Sequence, residues 1–245
     1  MRGEFKASCF FFAIENKSDK IKVMNRNILK VIAVLSMLID HIGAYLLPNI
    51  LIFRIIGRLA FPIFAFFIAE GWKHTRSKKK YFLLIILFAV ISQVPYYFLG
   101  NAIKLNILFT FMLSLGLIYF IDKFKTSSIV SMLGSAGVFL LALLGELLGV
   151  IDYGLLGVML SLAFYYLNLK WLKILVAGIL LAMLSIKSII FNEIIFENFI
   201  QLFSLLSLIL LVFYNGKKGK LNLKYFFYVF YPLHLGIIWL VSICI

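Results

Sequence analysis

Apolar residues run along this chain in repeated blocks of roughly 18 or more, the length a helix needs to cross a bilayer. They do not alternate every second residue, as the strands of a membrane barrel would. The blocks fall at 28–47, 51–72, 81–99, 105–121, 128–148, 153–168, 171–187, 198–214 and 225–245. The pattern predicts an all-α, polytopic membrane bundle of about nine transmembrane helices. The sixth block is short, and 187–198 reads equally as loop or interfacial segment. No hydrophilic block is large enough for a separate soluble domain, so 25–245 is expected to form one transmembrane domain behind a tail over 1–24. Within that tail, Cys9-Phe10-Phe11-Phe12-Ala13-Ile14 is too short to span and no small-residue cleavage site follows it. Met24, just before Asn25-Arg26-Asn27, reads as a second candidate start; otherwise 1–23 is a cytoplasmic tail.

Composition agrees with the pattern: 64% of residues are hydrophobic, where a soluble domain is nearer half. The net charge of +14 raises a nucleic-acid reading, which residue positions answer. The N-terminal segment through Lys30, with 73–80, 122–127, 169–173 and 215–224, holds 20 of the 24 basic residues. The intervening segments hold Lys104 and Lys187, and Arg54 and Arg58 fall inside a block. That alternation is the positive-inside pattern of a multi-pass cell-membrane protein, inner or plasma, with a cytoplasmic N-terminus and an outer C-terminus. The lipid bilayer is then the expected partner of the basic faces, and nucleic acid is not. Cys9 and Cys244 fall on opposite sides, so no disulfide is expected.

The chemistry lies where polar residues interrupt the apolar blocks. Asp40 and His41 stand ten and eleven residues beyond Lys30, about 15 Å into a core about 30 Å thick. Arg58 is ten residues after Pro48 and His234 ten after Lys224, each again at about 15 Å depth. Three helices therefore bring ionisable groups to one level, and intramembrane charge is a functional-site hypothesis by default. Arg54 and Arg58 share a helix face, and Asp40 is their nearest carboxylate. An Asp40–Arg58 pair either braces two helices or lines a reaction chamber. Adjacent helical residues point about 100° apart, so Asp40 is poorly placed to orient His41. Pro62 and Pro232 each interrupt a block close to Arg58 and to His234, which reads either as a kink alone or as a binding site built on broken helices.

At the basic end of the second block lie Glu70, His74 and Arg76, with Lys30 at the same level. These are either helix-end charges meeting lipid head groups or a mouth that attracts a polyanionic donor such as acyl-coenzyme A. At the outer end, Asp152-Tyr153-Gly154 is a turn with a substrate-facing acid, and Tyr231 precedes Pro232. Gln93, Asn106, Thr110 and Glu146 are weaker candidates in the outer half. No metal is expected, because three histidines and two remote cysteines offer no ligand spacing.

Three blocks together resemble a known family. Leu29-Lys30 with Met37-Leu38-Ile39-Asp40-His41-Ile42-Gly43 resembles the opening signature of the TraX family, the conjugal-transfer pilin acetylation proteins and their fimbrial-assembly relatives. Arg54 with Gly57-Arg58-Leu59-Ala60-Phe61-Pro62-Ile63-Phe64, and Glu70-Gly71 with His74-Thr75-Arg76, is similar to its second block. Phe230-Tyr231-Pro232-Leu233-His234-Leu235 is similar to its closing block. More distantly the pattern resembles membrane acyltransferases that use cytosolic acyl-coenzyme A. Those carry an arginine eleven residues before the first-helix histidine, where this chain has Lys30, keeping the charge without the bidentate fork.

The resemblance implies an acetyltransferase that takes acetyl-coenzyme A as donor substrate and an amine or hydroxyl as acceptor: a pilin amino terminus, another peptide or a glycan. It assigns His41 as general base or acyl carrier and Arg58 to the oxyanion or to Asp40. His234 would be a second proton carrier or position the donor. Arg54, Tyr231, Asp152, Glu70, His74, Arg76 and Lys30 would meet the substrates. The rival readings are a proton-coupled secondary transporter, with Asp40, His41 and His234 as relay, and a non-enzymatic pilus or envelope assembly factor.

Overall fold

A computed structural model describes residues 24–100, 104–124, 129–191, 199–220 and 226–244. The tail over 1–23, the stretch 192–198 and Lys224 lie outside the described residues. The helices are α1 (Arg26–Tyr45), α2 (Leu51–Gly57), α3 (Ala60–His74), α4 (Lys78–Phe98), α5 (Ile107–Phe124), α6 (Ile129–Leu147), α7 (Gly154–Tyr166), α8 (Lys170–Phe191), α9 (Leu206–Val212) and α10 (Phe226–Cys244). A 3-10 stretch, Gln201–Leu205, leads directly into α9. Only isolated bridges, Met24 with Tyr214 and Leu105 with Ile151, interrupt this all-helical chain among the described residues.

The protein is a helical membrane bundle. Five helices among the described residues are long and apolar enough to cross a bilayer: α1, the pair α2–α3 taken together, α4, α6 and α10. The outward stripe of α4, Leu83, Leu87, Val90 and Val94, is more than half exposed in the isolated chain, as a lipid-facing stripe must be. The interior collects the polar side chains instead, with Ser92, Asn106, Thr110, Ser114, Ser161 and Ser204 fully buried.

Three expected spans differ from continuous crossings. The second is broken at Arg58–Leu59, and Pro62 sits in the first turn of α3, where its missing N–H takes nothing from the helix. The sixth, α7, has 13 residues, about 20 Å of helix, and starts from a half-buried turn at Asp152–Tyr153. The eighth opens as the 3-10 stretch, so Gln201 and Ser204 share one face.

Local signals explain where the helices begin. The Asn25 side chain accepts from the N–H groups of Asn27 and Ile28 at the head of α1. Asn106 does the same for Leu108 at the head of α5, while its amide donates to Ala89 of α4 at 2.8 Å. In the bundle α1 packs on α2, α3 and α10, α10 also packs on α4, and α3 packs on α7. Trp72, Ile63, Phe111, Phe164, Leu29 and Ile85 are the large side chains of the main core.

Candidate active site at a buried histidine pair

The tight hairpin of α1 and α2 rests on Gly57. Any Cβ at that position would overlap the side chain of Asp40, so glycine is what lets Asp40 lie against α2. Arg58, one residue on, donates from Nη2 to both Asp40 carboxylate oxygens, at 2.9 and 3.2 Å. Arg54 completes the cluster with Nη1 2.9 Å from Asp40 Oδ1 and 3.1 Å from the Asp40 carbonyl. Arg58 Nη1 reaches across to Gln201 Oε1 at 3.2 Å, which ties the 3-10 stretch to the same pair. One carboxylate thus holds two guanidiniums, and Arg58 is spent on protein partners. Arg54 keeps Nη2 without a protein partner among the described residues.

His41 points away from Asp40 and meets His234 of α10, with Nδ1 2.7 Å from His234 Nε2. The second nitrogen of His234, Nδ1, lies 2.8 Å from the carbonyl oxygen of Phe230. A carbonyl only accepts, so His234 Nδ1 carries the proton and, in the neutral ring, Nε2 is the acceptor. His41 Nδ1 must then be the donor, which leaves the lone pair on His41 Nε2. That nitrogen has no protein partner among the described residues and is not sealed from the cavity that His41 lines. Tyr231 backs the pair, its ring centroid 5.5 Å from that of His234 and 6.3 Å from that of His41.

The cavity measures about 1140 Å³ and has walls along the whole of α1, from Arg26 to Tyr45, about 28 Å of helix. At the end where basic residues gather it is lined by Arg26, Lys30, His74, Arg76, Lys80 and Lys218. Lys30 Nζ stands over the rings of Phe67 and Phe227, at 5.4 and 4.7 Å. The middle is aromatic, and the far end is lined by Asp40, His41, Arg54, Arg58, Tyr96 and Asp152.

The structure therefore brings Asp40, His41, Arg54, Arg58, Tyr231, Asp152, Lys30, His74 and Arg76 onto one cavity. Glu70 and His234 stand behind it. Glu70 is held by Arg26 Nη2 at 3.1 Å and by the Tyr214 hydroxyl at 3.2 Å, and His234 is 3% exposed behind His41.

The outer-half candidates form the floor of the far end. Tyr96 donates to Asp152 Oδ2 at 3.1 Å, Thr110 donates to the Asp152 carbonyl at 2.8 Å, and Gln93 accepts from Asn106. Burial pushes the Asp152 carboxyl above the ordinary carboxylate range, against the lowering pull of Tyr96, Lys104 and Arg58. Glu146 is taken by Lys187 and by the backbone N–H of Leu155. Sequence reasoning missed Gln201, Tyr153, Tyr96, Lys104 and Lys218. Gln201 alone carried a signal, as an amide inside an apolar block; tyrosines in a membrane chain read as interfacial aromatics.

Among the described residues, no three of His, Cys, Asp and Glu come together as a metal site. The comparisons with known proteins point one way. The family model described as TraX protein matches residues 25–242. The probable fimbrial assembly protein FimC, serogroup H1, of Dichelobacter nodosus is 30% identical over 248 residues, which cover 88% of this chain and 97% of that protein. The uncharacterized protein RP591 of Rickettsia prowazekii (strain Madrid E) is 42% identical over 73 residues, 30% of this chain and 27% of the Rickettsia protein. No solved structure matches the chain. With a family model over most of its length and a relative aligned nearly end to end, the chain belongs to the TraX family.

Proposed function

We propose that this protein is a membrane-embedded acyltransferase that moves an acetyl group from cytosolic acetyl-coenzyme A to an amine or hydroxyl of a pilus component. The observation that carries the reading is His41 Nε2: a basic nitrogen with its lone pair turned to a cavity that extends to a basic mouth. About 1140 Å³ slightly exceeds the usual range of small-molecule and cofactor sites, about 300–1,000 Å³, and is ample for a pantetheine arm below a phosphate-bearing head. The pilus assignment leans on the TraX family and on the Dichelobacter relative, a probable fimbrial assembly protein. The topology that suits it has nine crossings in the cell membrane, with a cytoplasmic N-terminus and residues 25–245 acting as one domain.

In the reaction, His41 Nε2 takes a proton from the acceptor as its nitrogen or oxygen attacks the thioester carbonyl. The developing oxyanion is met by Nη2 of Arg54, which no described residue engages, while Asp40 keeps the cationic cluster in register. Collapse breaks the C–S bond, and the leaving sulfur takes the proton back from His41. Acylated acceptor and free coenzyme A thiol are the products. His234 acts through His41, by accepting from its Nδ1 and holding its tautomer.

A second reading, a non-enzymatic assembly factor, draws on the relative's name and on the internal pairing of Asp40 with Arg58. Purified protein in liposomes, given labelled acetyl-coenzyme A and pilin-type peptides or glycans, separates them. Label in the acceptor, lost in His41→Ala, supports the enzyme. Acceptor binding without label supports assembly, and proton-driven uptake of the acceptor without label supports transport.

A further inference from the structure

Tyr153 is the one non-glycine residue with a positive φ among the described residues, at 59°. Left-handed backbone disfavours a side chain as bulky as tyrosine, and such strain persists only where the surroundings over-determine it. Here they do. Leu105 N–H donates to the Val150 carbonyl at 2.7 Å, Thr110 donates to the Asp152 carbonyl, and Gly157 N–H donates to the Tyr153 carbonyl at 3.0 Å. The ring lies flat on Phe61, with centroids 3.7 Å apart and planes 6° from parallel. Gly157, one turn into α7, leaves room for this stack, since a Cβ there would stand 2.8 Å from Tyr153 Cβ and 3.2 Å from Phe61 Cζ.

What this arrangement holds in place is a hydroxyl. Tyr153 lines the same cavity as His41 and Arg54, and its hydroxyl is accessible and has no hydrogen-bond partner among the described residues. The phenol oxygen lies in the field of Arg58, Asp40, Asp152 and Arg54. A purely packing role would be filled equally well by phenylalanine, which stacks the same way without leaving a donor unpaired.

We infer that Tyr153 is a catalytic residue: its hydroxyl donates a hydrogen bond to the oxygen of the thioester carbonyl as that oxygen becomes an anion. The inference rests on the acyltransferase reading. No proton leaves the phenol; the bond strengthens as charge builds during attack and weakens when the C–S bond breaks and the carbonyl re-forms. Tyr153 and Arg54 would then approach the oxyanion from two elements, while His41 handles the acceptor proton.

The test compares wild type, Tyr153→Phe and His41→Ala in proteoliposomes with labelled acetyl-coenzyme A, with thermal midpoints in detergent as the control for folding. Tyr153→Phe keeps the ring stack and the backbone strain. It is expected to melt with wild type, to lose about 100-fold or more in kcat, and to keep KM for acetyl-coenzyme A within about twofold. Transfer at the wild-type rate in Tyr153→Phe, with His41→Ala inactive, overturns this role alone. A wild-type protein that transfers nothing overturns the reaction and this role with it. If Tyr153→Phe melts early, Phe61→Leu decides. It removes the stack and keeps the hydroxyl, so an equal kcat loss there assigns Tyr153 to packing, and a loss confined to Tyr153→Phe supports the hydroxyl.

Discussion

Gly57→Ala sets two physical effects against each other. Helix propensity favours alanine over glycine by up to about 1 kcal/mol, so a surface argument expects a small gain. The structure expects a loss, because the new methyl group would overlap Asp40 Cβ, Cγ and Oδ1. Those atoms are not the loose end of a flexible chain; two arginines hold the carboxylate. Overpacking of this kind costs about 1–3 kcal/mol, and pushing the carboxylate aside forfeits a charge-assisted hydrogen bond of about 1.5–3 kcal/mol. Net of propensity, Gly57→Ala should lose about 2–4 kcal/mol. At roughly 2–4 °C per kcal/mol for a chain of this size, Tm falls by about 4–16 °C. The assay is thermal unfolding of the purified protein in detergent, followed by fluorescence-detected size exclusion. A Gly57→Ala protein that melts at or above wild type refutes the close approach of Asp40 to α2.

Other outcomes follow from the same contacts. His234→Ala should lower kcat by about 100-fold with KM unchanged, since it frees the tautomer of His41. His234→Gln, whose amide both donates and accepts, should recover part of that activity, and equal rates for the two variants would count against tautomer control. Glu70→Gln should lower stability by about 1 kcal/mol while leaving the donor KM alone, because Glu70 braces Arg26 and Tyr214 behind the cavity wall. Arg76→Ala, which alters the mouth itself, should raise that KM in the same steady-state assay. For Asp152, burial favours the protonated form in the folded state. Its contribution to stability is fully present below the ordinary value of 3.8 and is lost as pH rises through the raised folded value. Asp152→Asn should therefore flatten the fall in thermal midpoint as pH rises above the ordinary value of 3.8, and parallel curves would contradict this.

The cluster of Asp40 with Arg58 was legible because helix rise converts residue counts into depth, and because a short turn makes α1 and α2 neighbours. Depth also put His234 level with His41, but level is not adjacency. The 2.7 Å contact depends on α10 returning to pack against α1, across 193 residues of chain. The break in the second span was readable near Pro62, whereas Pro232 lies inside a continuous α10 and the 3-10 opening before α9 carried no signal. No proline or glycine marks it, and its reason is tertiary, the reach of Gln201 to Arg58. Glu70 shows the converse. Its spacing from His74 suggested a shared role at the mouth, yet Arg26 and Tyr214 draw it behind the wall. Tyr153 carried no signal, since a left-handed tyrosine is a property of the folded turn and not of the residue order.

In the proposed reaction, His41 Nε2 takes the acceptor proton in an acetyl transfer across this cavity. The most direct measurement is single-turnover transfer from labelled acetyl-coenzyme A to an acceptor peptide in proteoliposomes, with wild type and His41→Gln compared at equal folded protein. Label is expected in the acceptor with wild type, and only background label with His41→Gln. Equal transfer by the two proteins, or none by wild type with every acceptor class, would contradict the proposed reaction.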